Sequence, residues 1–324
     1  MITRPELTRW LQDPAAQTST YERIEEIGRE IKGEPAAARL SARLEASPKE
    51  ADALLEIARQ ALCDGSLVAD SLRRMTRAAR NDPFFRPPIR NSATEMVAGL
   101  WLYEHRLLTI FVAVASADAL ALKRARRTGS ASITFTGQRS VYHFLRAGGA
   151  TVSLWATDPI GEGFSGTPET RCRLVGRRSL RDGDMIAIDG RCEAFVIDST
   201  KSDIVYCQAL TPVGAGPLMV EFDADTHRFV AASSGDETSS RTQMMLSLLR
   251  TMERTDAVPV FEELLGSPHF YARWQTLREL VALDADAAFP HLGRMANADP
   301  HPEVRAAAAA VLALYEEEGV RCLA

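Results

Sequence analysis

The stretch from Ala131 to Leu210 constrains this chain most. It opens on SITFTGQRSVYHFLRAGGATVSLWATD, passes a glycine-rich segment, and resumes as RCRLVGRRSLRDGDMIAIDGRCEAFVID and IVYCQAL. Short runs of Val, Ile, Phe and Tyr alternate with clusters of Gly, Asp and Arg. Branched and aromatic side chains suit a pleated surface, and Gly and Asp supply turn conformations, so the pattern predicts several short strands joined by tight turns. Leu180-Arg181-Asp182-Gly183-Asp184 reads as a turn feeding the buried strand Met185-Ile186-Ala187-Ile188. A last hairpin is expected from Leu218–Phe222, the turn Asp223-Ala224-Asp225, and His227–Ala231. Turn residues fall at short intervals between 128 and 234 with no long helical pattern among them. That spacing predicts an antiparallel sandwich or barrel and not a doubly wound parallel sheet.

Helical patterns lie on both sides. Tyr21, Ile24, Ile27 and Ile31 recur at helical spacing, and Gly33 and Pro35 are expected to end that helix. Ser47-Pro48-Lys49-Glu50 reads as a helix start, with Ser47 as cap, Pro48 in the first position and Glu50 closing a capping box. The helix that follows carries Leu54, Leu55, Ile57, Ala58 and Leu62 and stops at Asp64-Gly65, and another fits Ser66 to Arg80. Asn81 to Pro88 is a proline-rich break. Leu107 to Ala115 is assigned as a buried strand, and Ala117 to Arg127 as a short helix.

Beyond residue 235 a repeat appears. Ser267-Pro268-His269-Phe270-Tyr271-Ala272-Arg273 returns 32 residues on as Asp299-Pro300-His301-Pro302-Glu303-Val304-Arg305, with Leu280 and Leu312 following at equal distance. The same shift backwards meets Arg241 and Leu248. Ala257–Phe261 and Ala288–Leu292 mark a second helix per unit. Such a period with two helices per unit predicts a helical solenoid, because one unit cannot bury its own apolar face.

Composition narrows the function classes. The chain has 324 residues, 46% hydrophobic and 25% charged, with a formal net charge of -5, so it carries no overall bias toward nucleic acid. Its five cysteines are scattered with no Cys-x-x-Cys pair, the pattern of reduced thiols in a cytoplasmic protein, and their spacing builds no zinc site. The amino terminus has no apolar run of a secretory signal. The most apolar stretch, Leu107 to Leu122, is shorter than the ~20 residues a membrane helix needs and contains Asp118. Phosphate-loop, dinucleotide, serine-hydrolase and zinc-protease motifs do not occur.

The carboxy-terminal stretch resembles HEAT repeats, on the strength of Asp299-Pro300-His301-Pro302-Glu303-Val304-Arg305 followed by Ala308, Val311 and Leu312. The resemblance implies an Asp and an Arg that stabilise the inter-helix turns, and a surface for a protein partner. The central stretch resembles a cupin, a double-stranded β-helix, through Glu169 ahead of Gly176 and through Gly183-Asp184-Met185-Ile186-Ala187-Ile188 leading to Cys192-Glu193-Ala194-Phe195. Metal-binding cupins carry His-x-His and Glu in one motif and His in another. Here Trp155-Ala156-Thr157 stands where His-x-His is expected, the glutamate is Glu162 or Glu169, and the last position falls on Glu193 or Ala194. Trp155 cannot ligate and Thr157 is a weak neutral ligand, so no metal centre and no cofactor are expected.

The candidate ligand-binding residues are therefore His143, Trp155, Thr157, Glu193 and Tyr206. His143 could act with Arg139 or Arg146 at a barrel mouth, or be an ordinary strand histidine sharing a face with Val141 and Leu145, opposite Tyr142 and Phe144. Cys192, between Arg191 and Glu193, could be a low-pKa thiol or a buried inert one. Asp223, Asp225 and His227 read as a hairpin turn in preference to a metal site. Lys123, Arg124, Arg126 and Arg127 form the densest basic cluster, without the aromatic residues that would mark a nucleic-acid surface.

These readings combine into an α+β multidomain chain. It has an N-terminal helical region at 1–90, an antiparallel β-sandwich or jelly roll of cupin type at 91–234, and a HEAT-like α-solenoid at 235–324. The leading expectation is a metal-free, non-enzymatic binding or regulatory protein. It would hold a protein partner on the helical repeats and a small-molecule ligand in the sandwich, or use the sandwich only as structure. No membrane or nucleic-acid partner is expected, and a cupin-type homodimer stays open. The alternative is a cupin-type enzyme, either a metal-independent acid–base isomerase or epimerase using His143, Tyr206 and a glutamate, or a dioxygenase with an atypical metal site.

Overall fold

The computed structural model describes residues 4–125, 131–167 and 169–322. Five helices come first: α1 (Arg4–Leu11), α2 (Pro14–Lys32), α3 (Pro35–Ala46), α4 (Ala51–Asp64) and α5 (Ser66–Asn81). Strands β1 (Asn91–Ala93), β2 (Val97–His105) and β3 (Leu108–Ala115) precede α6 (Ala117–Ala125). Then come β4 (Ser132–Phe135), β5 (Arg139–Arg146), β6 (Thr151–Ala156), β7 (Arg173–Ser179), β8 (Met185–Asp189) and β9 (Glu193–Ser199). The last strands are β10 (Ile204–Thr211), β11 (Leu218–Asp223) and β12 (Phe229–Ser234). Helices α7 (Glu237–Thr251), α8 (Val258–Leu264), α9 (Phe270–Leu283), α10 (Ala285–Ala298) and α11 (Pro302–Cys322) close the chain.

The chain divides into two compact units. The first comprises residues 1–133, 138–156 and 173–215, and the second 134–137, 157–172 and 216–324. The breaks expected near 90 and 234 do not separate compact units. The amino-terminal helices share a unit with most strands, whereas β11, β12 and segment 157–172 share one with the carboxy-terminal helices.

The first unit holds a six-stranded sheet, β1-β2-β3-β10-β5-β8, and a three-stranded sheet, β7-β6-β9, both antiparallel throughout. It is the antiparallel sandwich that the resemblance to cupins implied. Residues opposite one another in a ladder share a face and neighbours along a strand alternate. Tyr206 lies opposite Phe144 and Ala113, whereas Cys207 lies opposite His143 and Val112. Phe144 and Tyr206 thus pack with Val152, Phe195 and Ile197 of the second sheet. Val112, Val141, Cys207 and Ala209 face the other way and pack with Leu54, Ala58 and Leu62 of α4 and Met75 of α5. A sheet covered on both faces needs apolar residues at nearly every position, which accounts for the continuous apolar run of β3.

Two helix boundaries differ from the sequence expectation. Pro35 opens α3, a helix that the reading of residues 33–46 did not contain. Ser47 is the extended residue that closes α3, with φ -85° and ψ 155°, and α4 begins four residues later behind Glu50. The cause is Pro48, which steers the preceding residue out of helical conformation. Lys49 Nζ then donates to the open carbonyls of Leu44 (2.8 Å) and Glu45 (3.0 Å), so the segment is a helix stop and not a capping box. The stop at Gly65 is as expected: its φ is 68° and its N–H reaches Ala61 O at 3.2 Å. Strand β2, absent from the sequence reading, pairs with β3 along its length.

In the second unit, sheet β12-β11-β4 carries an aromatic cluster. The Phe135 and Phe222 ring centres are 5.3 Å apart, and those of Phe222 and Phe229 are 6.3 Å apart. The expected β11–β12 turn is closed by Asp223, whose Oδ1 accepts from the N–H groups of Asp225 (3.1 Å) and Thr226 (2.7 Å). Around α9 and α11 the sequence repeat becomes a repeated contact. An Arg273 terminal nitrogen donates to the Ser267 and Pro268 carbonyls at 3.0 and 2.9 Å. Arg305 does the same to Asp299 and Pro300 at 2.6 and 3.1 Å. Arg273 also grips the Asp299 carboxylate at 2.7 and 2.8 Å, tying the turn before α11 to α9. The helical core contains Leu246, Phe261, Leu277, Leu280, Leu292, Val304 and Ala308. The backward copy is out of register, because Leu246 and not Leu248 is buried on α7. Among the described residues no helix is long and apolar enough to cross a membrane.

Candidate ligand-binding sites

The sandwich interior of the first unit is built of rings. Tyr142 meets Phe195 edge-on at 4.9 Å and Tyr206 at 5.9 Å, and Phe144 meets Phe195 and Tyr206 at 6.2 and 6.1 Å. Such tilted and edge-on packing satisfies the ring quadrupoles. Gln208 Nε2 donates to the Tyr142 hydroxyl at 2.8 Å. Burial raises the pKa of Tyr142, with Tyr206 nearby adding to the effect, and burial alone raises that of Tyr206. Both phenols are therefore neutral near pH 7 and are poor general bases.

The sequence candidates are placed apart. Of the five, only Tyr206 lies among these rings. His143 is on the opposite face of β5, level with Cys207, and its Nδ1 is buried with no hydrogen-bond partner among the described residues. Arg139 pairs with Asp52 of α4. Trp155 is buried on the opposite face of β6 from Leu154, which pairs with Phe195; its Nε1 donates to Ser153 Oγ at 3.0 Å. Glu193 is exposed and its Oε2 accepts the Asp189 N–H at 3.0 Å, closing the β8–β9 turn. Thr157 is buried and belongs to the second unit, as do the exposed Glu162 and Glu169.

The donor set does not fit a divalent ion in the cupin manner. Trp155 offers no ligand, Glu193 is engaged in a turn, and among the described residues no group of three His, Cys, Asp or Glu side chains converges. Cys192 is not an activated thiol. Burial raises its pKa, and the Asp189 and Glu193 charges add to this against the opposing effect of Arg191. In the basic cluster, Arg124 donates to the Ile197 carbonyl of β9 at 2.8 Å, while Arg126 and Arg127 lie outside the described residues.

The second unit contains a cavity of about 430 Å³, within the usual range for small-ligand sites. Its walls include Phe164, Phe229, Phe270, Tyr271 and Trp274, with Glu303 at the start of α11. Local packing sets each ring. Phe164 lies 6.0 Å from Phe229, and Gly166 lets the Phe229 ring approach its backbone, since a Cβ there would come within 2.4 Å of the ring. The two repeat histidines serve as backing: His301 stacks on Phe270 at 3.8 Å, and His269 stacks on Tyr271 at 5.4 Å. Ser234 Oγ donates to the Tyr271 hydroxyl at 3.3 Å, and Ser165 Oγ donates to the Glu303 carboxylate. Sequence reasoning missed this cavity. Its one signal was the Pro-His pair of the repeat followed by Phe270 and Tyr271; the loop and hairpin that complete the wall are distant in the chain.

A family model described as HEAT repeats matches residues 230–313, less than half of the chain. The comparison with curated proteins finds no match. Similar solved structures include ectoine synthase from P. lautus, at 11% identity over 38% of this chain and 69% of that one, with a TM-score of 0.24. KdgF from Halomonas sp. is 10% identical over 38% and 87%, with a TM-score of 0.24. A sugar phosphate isomerase of the cupin superfamily from Silicibacter pomeroyi is 12% identical over 46% and 90%, with a TM-score of 0.24. At these scores the likeness carries no argument about activity. The chain thus contains an antiparallel β-sandwich, and its largely helical residues 230–313 match the HEAT-repeat model.

Proposed function

We propose that this is a non-enzymatic binding protein, in which the sandwich is a structural module and the HEAT-type helices engage a protein partner. The observation that carries the reading is the sandwich interior, occupied by the mutually packed rings of Tyr142, Phe144, Phe195 and Tyr206, which offer acid–base chemistry only neutral phenols. The residues an acid–base mechanism would need, His143, Glu193 and Tyr206, lie on different faces and edges of the first unit. On the helical side, α7 exposes Met244, Met245 and Leu248, at 73, 66 and 57%, and the residue that caps its carboxy end, Met252, is 55% exposed. Flexible thioether side chains in one exposed stripe suit an adaptable protein contact.

The test is site-specific photo-crosslinking from position 245 in cells, followed by identification of the captured chain and its binding in purified form. A defined partner whose binding is lost in Met245→Glu and Leu248→Glu supports the reading. Turnover of a small molecule by the purified protein, abolished by Tyr206→Phe or His143→Ala, overturns it.

A further inference from the structure

We propose that the cavity of the second unit binds a small organic ammonium cation. Five aromatic residues, Phe164, Phe229, Phe270, Tyr271 and Trp274, line it, and Glu303 is the one charged side chain among its described lining residues; no Lys, Arg or His is among them. Ring faces attract cations through their quadrupoles, most strongly for cations that are weakly hydrated and give up water readily. A carboxylate at the rim adds the single countercharge, and Ser165 orients it by donating to one oxygen, leaving the other free for the ligand. The remaining polar lining groups, Ser233, Ser234, Gln243 and Gln275, are neutral and suit a hydroxyl or amide on the same molecule. An anion would meet Glu303 with no compensating charge, and a strongly hydrated metal ion would find one carboxylate where several hard ligands are needed. The trimethylammonium group is large, singly charged and apolar at its surface, and matches this wall best.

The walls are also preorganised. Phe270 and Tyr271 are held by face-to-face stacking on His301 and His269, and Phe229 is seated against Gly166. Ordering costs on binding are reduced accordingly. The inference is independent of the partner-binding reading, because it concerns the cavity and not the exposed face of α7.

The experiment is calorimetric titration of the full chain with choline and, in parallel, with its uncharged isostere 3,3-dimethylbutan-1-ol. Choline is expected to bind about tenfold or more tightly than the isostere, a difference assigned to charge alone. Glu303→Gln, which keeps the Ser165 hydrogen bond, is expected to remove most of that discrimination. Trp274→Leu is expected to weaken choline about fivefold or more. Gly166→Ala, which pushes the Phe229 ring out of place, serves as a second probe of the wall and is also expected to weaken choline. An unchanged urea midpoint for Glu303→Gln shows that the loss is local. Equal binding of the two probes overturns the proposal, as does the absence of choline binding at ~10 mM or choline binding untouched by Glu303→Gln and Trp274→Leu.

Discussion

Asp299 shows how much one side chain can settle. Its side chain is 3% exposed and that of its partner Arg273 is 12% exposed, so neither charge has water to fall back on. Burial pushes the Asp299 carboxyl up, but hydrogen bonds from Arg273 and the His301 N–H outweigh this and hold it below the usual carboxylate range. A carboxyl whose folded pKa is depressed stabilises the fold at all pH above its unfolded value, and that contribution is lost as pH falls through the folded one. Asp299→Ala should therefore cost about 3–5 kcal/mol near neutral pH by urea denaturation, because it strands a buried guanidinium. The gap between variant and parent should narrow below about pH 4, the ordinary aspartate range. The cysteines give a second test at this scale. Burial pushes Cys207 up to about 12 and Cys172 to about 11, whereas Cys63 is exposed. A thiol reagent at pH 8 should label Cys63 rapidly and leave Cys172 and Cys207 unmodified until the protein unfolds, read by mass spectrometry. The resemblance to HEAT repeats implied an Asp and an Arg at the inter-helix turns, but not that the Asp299 carboxylate would pair with Arg273 of the preceding copy. The placement of His143 on the face away from Tyr206 was half legible: strict alternation separated it from Tyr142 and Phe144, but nothing local says which face of a strand becomes the sandwich interior.

Among the elements, the clearest lesson concerns proline. Ser47-Pro48-Lys49-Glu50 has the residue types of a helix start, yet it ends α3, because Pro48 acts backwards on Ser47 while Lys49 closes the carbonyls behind it. Local sequence favours both outcomes, and the packing of Leu40 and Leu44 from α3 into the first core selects one. Gly65 is simpler. Its left-handed φ of 68° joins α4 to α5, and an L side chain in that conformation costs about 1–2 kcal/mol. Gly65→Ala should lower the stability of the first unit by that amount in urea titration, with no change in the slope of the transition. A drop near zero would mean that the α4–α5 corner relaxes freely. Leu248 marks the limit of the repeat. The 32-residue shift matches it to Leu280, which is buried, but α7 presents Leu246 to the core and turns Leu248 outward.

For the whole molecule, each unit carries its own core: Leu54, Phe144, Ile186 and their neighbours in the first, and Leu277, Leu280 and Leu292 in the second. Thermal unfolding followed by calorimetry should accordingly show two transitions. Leu277→Ala, at a position with 0% exposure, should cost about 2–5 kcal/mol and move one of them, and Phe144→Ala should move the other. A single transition shifted equally by both variants would mean that the cores unfold as one. The division at residue level, with 134–137 and 157–172 joining the carboxy-terminal helices, has no compositional marker, because the segments that change units are ordinary strand ends and a glycine-rich loop.

The sequence by itself determined the coarse succession of helices, antiparallel strands and a helical repeat, though not every element within it. Hydrophobic period and turn chemistry are local properties that survive without a partner surface. Residue identity alone also decides that Trp155 offers no metal donor, since an indole has no lone pair free to ligate. Only the tertiary structure decided which strand face became the interior, which core each strand joined, and that Phe164, Phe229, Phe270 and Trp274 meet around Glu303. Those outcomes depend on contacts between residues far apart in the chain, and such contacts are chosen by the packing of whole elements, which no single stretch encodes.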